Sequence, residues 1–142
     1  MSDADLTALY RRWLLDLWHA SPADRADIAR EVVTEDFTVR RAGQPEKPRG
    51  PIRLVALVEA GSAPFDDVRL EIAIGPLVDG DLVAARWIFR GRYRGGLPGA
   101  SAPAGTEVAF AGMDLLRARD GRFAEYWTSS DGLDLMAQLG AT

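Results

Sequence analysis

The chain has 142 residues, 47% apolar and 27% charged, an ordinary balance for a single globular domain over residues 1–142 rather than a disordered segment. Its 21 acidic and 17 basic side chains give a net charge of −4, which argues against a nucleic-acid or anionic-membrane partner, since either wants a concentrated positive surface. No run approaches the ~20 apolar residues needed to span a bilayer, and the N-terminus lacks the basic region and cleavage site of a signal peptide. A cytoplasmic protein is expected.

Leu6, Leu9, Tyr10, Trp13, Leu14, Leu17 and Trp18 recur at the spacing of an amphipathic helix. Ser21-Pro22-Ala23-Asp24 reads as an N-cap followed by proline at the first helical position. A second helix should run from there to about Val33, with Ile28 and Val32 inward. Phe37 to Arg40 is a short strand, and Gly50-Pro51 begins a third helix that Gly61 ends. Then the period switches to two.

Val68, Leu70, Ile72 and Ile74 alternate with polar or small residues, and Asp79-Gly80 makes a hairpin turn. The next strand, Leu82 to Arg94, puts Val83, Ala85, Trp87, Phe89 and Tyr93 on one face and Arg86, Arg90, Arg92 and Arg94 on the other. A glycine- and proline-rich loop from Gly95 to Gly105 leads to a long strand, Thr106 to Arg119. Asp120-Gly121 turns it into a last strand, Arg122 to Ser129, and a short helix from Leu133 to Leu139 follows. The fold class is α+β: an antiparallel sheet packed on three N-terminal helices, which can cover only one of its faces, so that the sheet curls around them to enclose one principal pocket or pairs with another copy.

The absences restrict the chemistry. Cysteine and asparagine are missing, His19 is the sole histidine and Lys47 the sole lysine. No thiolate or HExxH metal site, no cysteine nucleophile and no Walker A motif can be built, so no metal is expected. An enzyme of this composition must work with carboxylates, hydroxyls, arginines and aromatics. His19, at the end of the first helix, suits the helix dipole there.

The ordered set Gly80 to Trp87, Gly91-Arg92-Tyr93-Arg94-Gly95, Pro103 to Thr106, Gly112-Met113-Asp114, Asp120 to Trp127 and Asp131 to Gly140 resembles the SnoaL-like polyketide cyclases of the nuclear-transport-factor-2-like, cystatin-like cone superfamily. The resemblance covers nearly the whole chain. It implies a curved sheet and helices forming a conical pocket that closes rings of a polycyclic, carbonyl-rich metabolite by intramolecular aldol chemistry without a cofactor. It also implies a general base four residues after the last strand's tryptophan, which is Asp131 here. Family histidines are replaced: Tyr93 stands at one position and Arg40-Arg41 at another. These departures leave open a related cofactor-free hydroxylase or isomerase, or a non-catalytic small-molecule-binding protein.

Each candidate has two readings. Asp131 is either that base or the N-cap of the last helix. Tyr93 is either a donor to a developing enolate or one more aromatic on an apolar face. Trp87, Phe89, Met113 and Trp127 are candidates for a substrate-binding wall or plain core. Asp114 is either a second catalytic group or the partner of Arg86 in a structural ion pair. The expected ligand is a small apolar or aromatic molecule. A homodimer is expected through the second sheet face, which would hold Arg86, Ile88 and Leu116. The loop from Gly95 to Gly105 is expected to be mobile and to lie beside the pocket entrance.

Overall fold

A computed structural model describes residues 1–141. Helix α1 (Asp3–Arg11) is started by a reciprocal cap: Ser2 Oγ accepts the Asp5 N–H at 3.0 Å, and the Asp5 carboxylate accepts the Ser2 N–H at 3.0 Å. The helix then widens into a π-helical segment (Arg12–Asp16), in which the Leu17 N–H bonds back to the Arg12 carbonyl, before it finishes as α2 (Leu17–His19). Ser21 caps α3 (Pro22–Val32), with Pro22 at the first position as expected. Strand β1 (Val33–Arg40) leads to Gly50, whose φ of +88° starts α4 (Pro51–Ser62). A Cβ at Gly50 would also sit 2.5 Å from the Glu35 carbonyl oxygen, so only glycine fits.

Strands β2 (Phe65–Asp79), β3 (Leu82–Tyr93), β4 (Glu107–Arg119) and β5 (Arg122–Ser130) form the expected antiparallel meander, followed by α5 (Gly132–Gln138). The sheet order is β1-β5-β4-β3-β2. β1 pairs in parallel with β5, a partner the apolar alternation of a short strand could not specify. Register shifts along β2 after Asp66, Ile72 and Ile74 help to curl the sheet. This curved, unclosed sheet with helices on one face is the α+β cone expected from the sequence.

The concave face is the core. Leu6, Tyr10, Trp13, Leu14 and Leu17 from the first helical stretch are buried against Val83, Trp87, Phe89 and Tyr93 of β3 and Leu116 of β4. Trp13 sits edge-on to Phe37, Phe123 and Tyr126. Leu116 is fully buried here, not on the outer face where the dimer argument placed it: it pairs with Val83, an inward residue. Arg90, Arg92 and Arg94 point outward and form ion pairs with Glu71, Asp67 and Asp66 of the neighbouring strand. His19 acts as a strap, its Nε2 accepting the Leu70 N–H at 3.1 Å.

The segment from Gly95 to Gly105 is tied down. Tyr93 Oη accepts the Leu97 N–H at 2.7 Å, the Gly105 N–H bonds to the Tyr93 carbonyl, and Ser101 and Ala102 bond to Gly140 and Leu139. Leu97, Ala100 and Ala102 pack on the core. None of residues 95–105 lines the cavity described below, so the expected place beside the pocket entrance is corrected: these bonds seat the loop on Leu139 and Gly140 instead. No described helix is long and apolar enough to cross a membrane.

Candidate functional site

Helices and sheet enclose a cavity of about 330 Å³, at the lower end of the range for small-molecule sites. Its wall is largely apolar, with Trp13, Trp18, Leu57, Leu70, Trp87, Phe89 and Phe110 among the lining residues. Into this setting β4 brings one carboxylate. Asp114 is 3% exposed, on the inward parity of the strand two residues after Gly112 and two before Leu116.

Five donors converge on Asp114. Oδ1 accepts from Tyr126 Oη at 2.7 Å, Trp87 Nε1 at 3.0 Å and Thr128 Oγ1 at 3.4 Å. Oδ2 accepts from Tyr10 Oη at 2.9 Å and Trp13 Nε1 at 3.4 Å. The donors come from four places in the chain: α1, the π-helical segment, β3 and β5. The π-helical widening lies where Trp13 leaves the first helix toward the carboxylate, a local irregularity common at functional sites. Thr128 continues the inward row of β5 that holds Tyr126, and both line the cavity with Ser130.

Burial pushes the Asp114 carboxyl up from its ordinary value near 3.8, and the bonds from Tyr126, Trp87, Tyr10 and Trp13 pull it back without cancelling the rise. Burial first, and then the neighbouring Asp114 charge, pushes both the Tyr10 and Tyr126 phenols far above their usual range. The two phenols therefore stay protonated and remain donors. No arginine touches Asp114: its neighbour on β3 is Ala85, while Arg86 pairs with Met113 on the outer face. The ion-pair reading of Asp114 is corrected by strand parity alone.

Of the residues singled out in the sequence, Trp87 and Phe89 come together on the cavity wall. Met113, 56% exposed, and Trp127 lie on the outer face, with the Arg117 guanidinium 6.0 Å from the Trp127 ring centre. Tyr93 is fully buried outside the cavity lining, where its hydroxyl holds the loop at Leu97. Asp131 is exposed at the start of α5 and is not itself a lining residue, although Ser130 beside it is. Its side chain makes no capping bond, although its backbone carbonyl accepts the Leu135 N–H at 3.1 Å. Tyr10 and Tyr126 were not singled out, since an aromatic at helical or strand spacing reads as core until its hydroxyl is seen to have a buried partner.

A model of the SnoaL-like polyketide cyclases matches residues 8–139. The chain belongs to that family. Among solved structures, TsrD from Streptomyces laurentii is 24% identical, with a TM-score of 0.80 over 100% of this chain and 99% of that one. AclR from Streptomyces galilaeus, a candidate hydroxylase, is 24% identical with a TM-score of 0.77 over 98% of each chain. A SnoaL-like polyketide cyclase from Agrobacterium tumefaciens is 21% identical with a TM-score of 0.73, over 95% of this chain and 98% of that one. At these identities the likenesses carry the fold. No curated relative matches the chain in sequence.

Proposed function

We propose that the protein is a cofactor-independent cyclase of the aldol type, with Asp114 as the general base. The observation that carries this reading is a single buried carboxylate, its pKa raised by burial, on the wall of a largely apolar cavity in which it is the one acidic group. A raised pKa makes a carboxylate a stronger base toward the acidic C–H between two carbonyls, and a dry site strengthens each interaction with the charge that develops. A carboxylate has about four lone-pair positions. Trp87, Tyr126 and Tyr10 fill three with good bonds, while Trp13 reaches Oδ2 only at 3.4 Å. Oδ2 is therefore the oxygen with room for a proton.

In this reaction the C–H proton passes to Oδ2 and leaves an enolate, whose carbon attacks a second carbonyl of the same molecule. A carbon–carbon bond forms, and the resulting alkoxide recovers the proton from the Asp114 acid. The base is regenerated and nothing is oxidised or reduced. Ser130, on the same wall, is the hydroxyl available to an enolate oxygen, since the Thr128 proton is directed at Asp114.

The crowding of donors around Asp114 favours a second reading, a small-molecule-binding protein in which the carboxylate only ties α1 to the sheet. The two readings separate in an assay of aromatic polyketide esters and ketones with wild type, Asp114→Asn and Asp131→Asn. Loss of turnover in Asp114→Asn alone supports the first. Loss in Asp131→Asn alone returns the base to the position implied by family resemblance. No turnover by wild type, together with ligand binding, supports the second.

We also place a second copy of the chain on the outer sheet face. Trp127, Leu115, Ala84 and Leu77 are paired neighbours across β5, β4, β3 and β2, and the adjacent row adds Met113 and Ile74 on either side of Arg86. Such a continuous apolar stripe on an open sheet supports a subunit contact.

A further inference from the structure

The cavity's charges do not balance. Its charged lining residues are Asp114, Arg41 and Arg53, so the site is cationic by one even with Asp114 ionised, in a chain whose net charge is −4. Asp114 makes no ion pair with either arginine, since its bonds all go to hydroxyls and indoles.

Arg53 is the sharper anomaly. It stands in the first turn of α4, 8% exposed, and its Nη2 donates to the neutral amide of Gln44 at 3.1 Å. Its Nε is buried with no hydrogen-bond partner. Neither Arg53 nor Arg41 forms an ion pair among the described residues, whereas Arg40, a neighbour in the chain, reaches both Glu46 and Glu125. Burying a guanidinium against one neutral acceptor is unfavourable unless a further negative group completes it. Arg41, immediately after β1, is exposed at the rim of the same cavity.

We propose that Arg53, assisted by Arg41, binds a carboxylate carried by the ligand, and that the protein therefore selects free acids over their esters. The guanidinium fork matches a planar carboxylate, and a single negative charge cancels the surplus. The apolar body of the ligand then lies against Trp18, Trp87, Phe89 and Phe110, with its reactive carbon toward Asp114. This inference rests on the reading of the cavity as the ligand site and narrows the substrate to aromatic, carbonyl-rich acids.

The test is binding rather than turnover. The full chain is titrated with 2-naphthoate and with methyl 2-naphthoate by calorimetry. Nitrogen-proton spectra follow the indole N–H signals of Trp13 and Trp87 and the Nε–H of Arg53. The acid should bind at least tenfold more tightly than the ester, as a charge-assisted pair in a dry site allows, and should shift all three signals. Arg53→Gln should bring acid and ester within about threefold of each other. Arg41→Gln, at an exposed position, should weaken the acid several-fold and leave the ester unchanged, so a poorly folded Arg53→Gln does not protect the idea. Acid and ester binding equally, both with indole shifts, would overturn the arginine proposal and leave the cavity reading standing. An acid preference that survives both substitutions together would also overturn it. If neither probe moves the indole signals, the cavity reading itself fails and this inference with it.

Discussion

Gly112 lies directly across from Trp87 in the β3–β4 ladder, and the indole occupies the space a side chain would need. A Cβ at Gly112 would stand 2.5 Å from Trp87 Cη2 and closer still to Cζ2. The glycine thus lets the indole lie flat across β4, where its Nε1 reaches Asp114 two residues further on. Gly112→Ala should displace the ring, break that bond and fill part of the cavity. Overpacking of this kind costs about 1–3 kcal/mol. Thermal melts should show the loss, and the Trp87 indole N–H signal should move upfield as its acceptor is removed.

Asp114 variants separate a structural role from a chemical one. Asparagine can keep its carbonyl oxygen toward Trp87 and Tyr126 and offer its amide to the Tyr10 hydroxyl, losing only the long bond from Trp13. Asp114→Asn should cost about 1 kcal/mol of stability and abolish turnover. Asp114→Ala leaves two indole N–H groups, two phenols and the Thr128 hydroxyl without their shared acceptor and should cost about 3 kcal/mol. Urea unfolding beside single-turnover assays distinguishes the outcomes. An active, well-folded Asp114→Asn would remove the base from this position.

Activity and stability should respond oppositely to pH. Since burial raises the folded-state pKa of Asp114 above its ordinary value near 3.8, the folded chain holds that proton more tightly than the unfolded one. The contribution is fully present below the unfolded value and is lost as the pH rises through the folded value. Over the same interval the carboxylate forms and kcat/KM should climb. Asp114→Asn supplies the reference: the stability of wild type relative to this variant should decline as pH increases above about 3.8. Tyr126→Phe removes a bond that favours the ionised form, so its pH–rate curve should shift to higher pH than that of wild type.

The elements were legible because each rests on local chemistry: the Ser21-Pro22 start of α3, the Asp79-Gly80 and Asp120-Gly121 turns, and the two-residue period of β3. Parity also told which of Trp87 and Arg86 faces inward. The site was less legible because it depends on convergence. Tyr10, Trp13, Trp87 and Tyr126 are up to 116 positions apart in the numbering, and nothing local marks their common partner. Resemblance directed attention to Asp131, whereas the cavity lies against the inward row of β4. Arg53 gave no signal at all, since a guanidinium in the first turn of a helix reads as solvated until its burial is seen.

The outer face makes the last prediction. Ile74, Leu77 and Met113 are 57%, 63% and 56% exposed, and Leu115 is 39% exposed beside the half-buried Trp127. Leu77 and Leu115 lie in one unbroken row with Ala84 and Trp127, flanked by Ile74 and Met113 on either side of Arg86, so a second copy can cover the row without rearranging the chain. The helices already occupy the concave face, leaving this one to solvent or a subunit. Light scattering should give twice the 15.5 kDa chain mass. Leu115→Arg places a charge at the centre of the stripe, and burying it unpaired in a subunit contact would be unfavourable. The variant should elute as a monomer while keeping its circular dichroism spectrum and the indole N–H signals of the cavity, because the substitution faces away from the core. A wild-type chain that stays at monomer mass up to tens of micromolar would leave the stripe without a second copy.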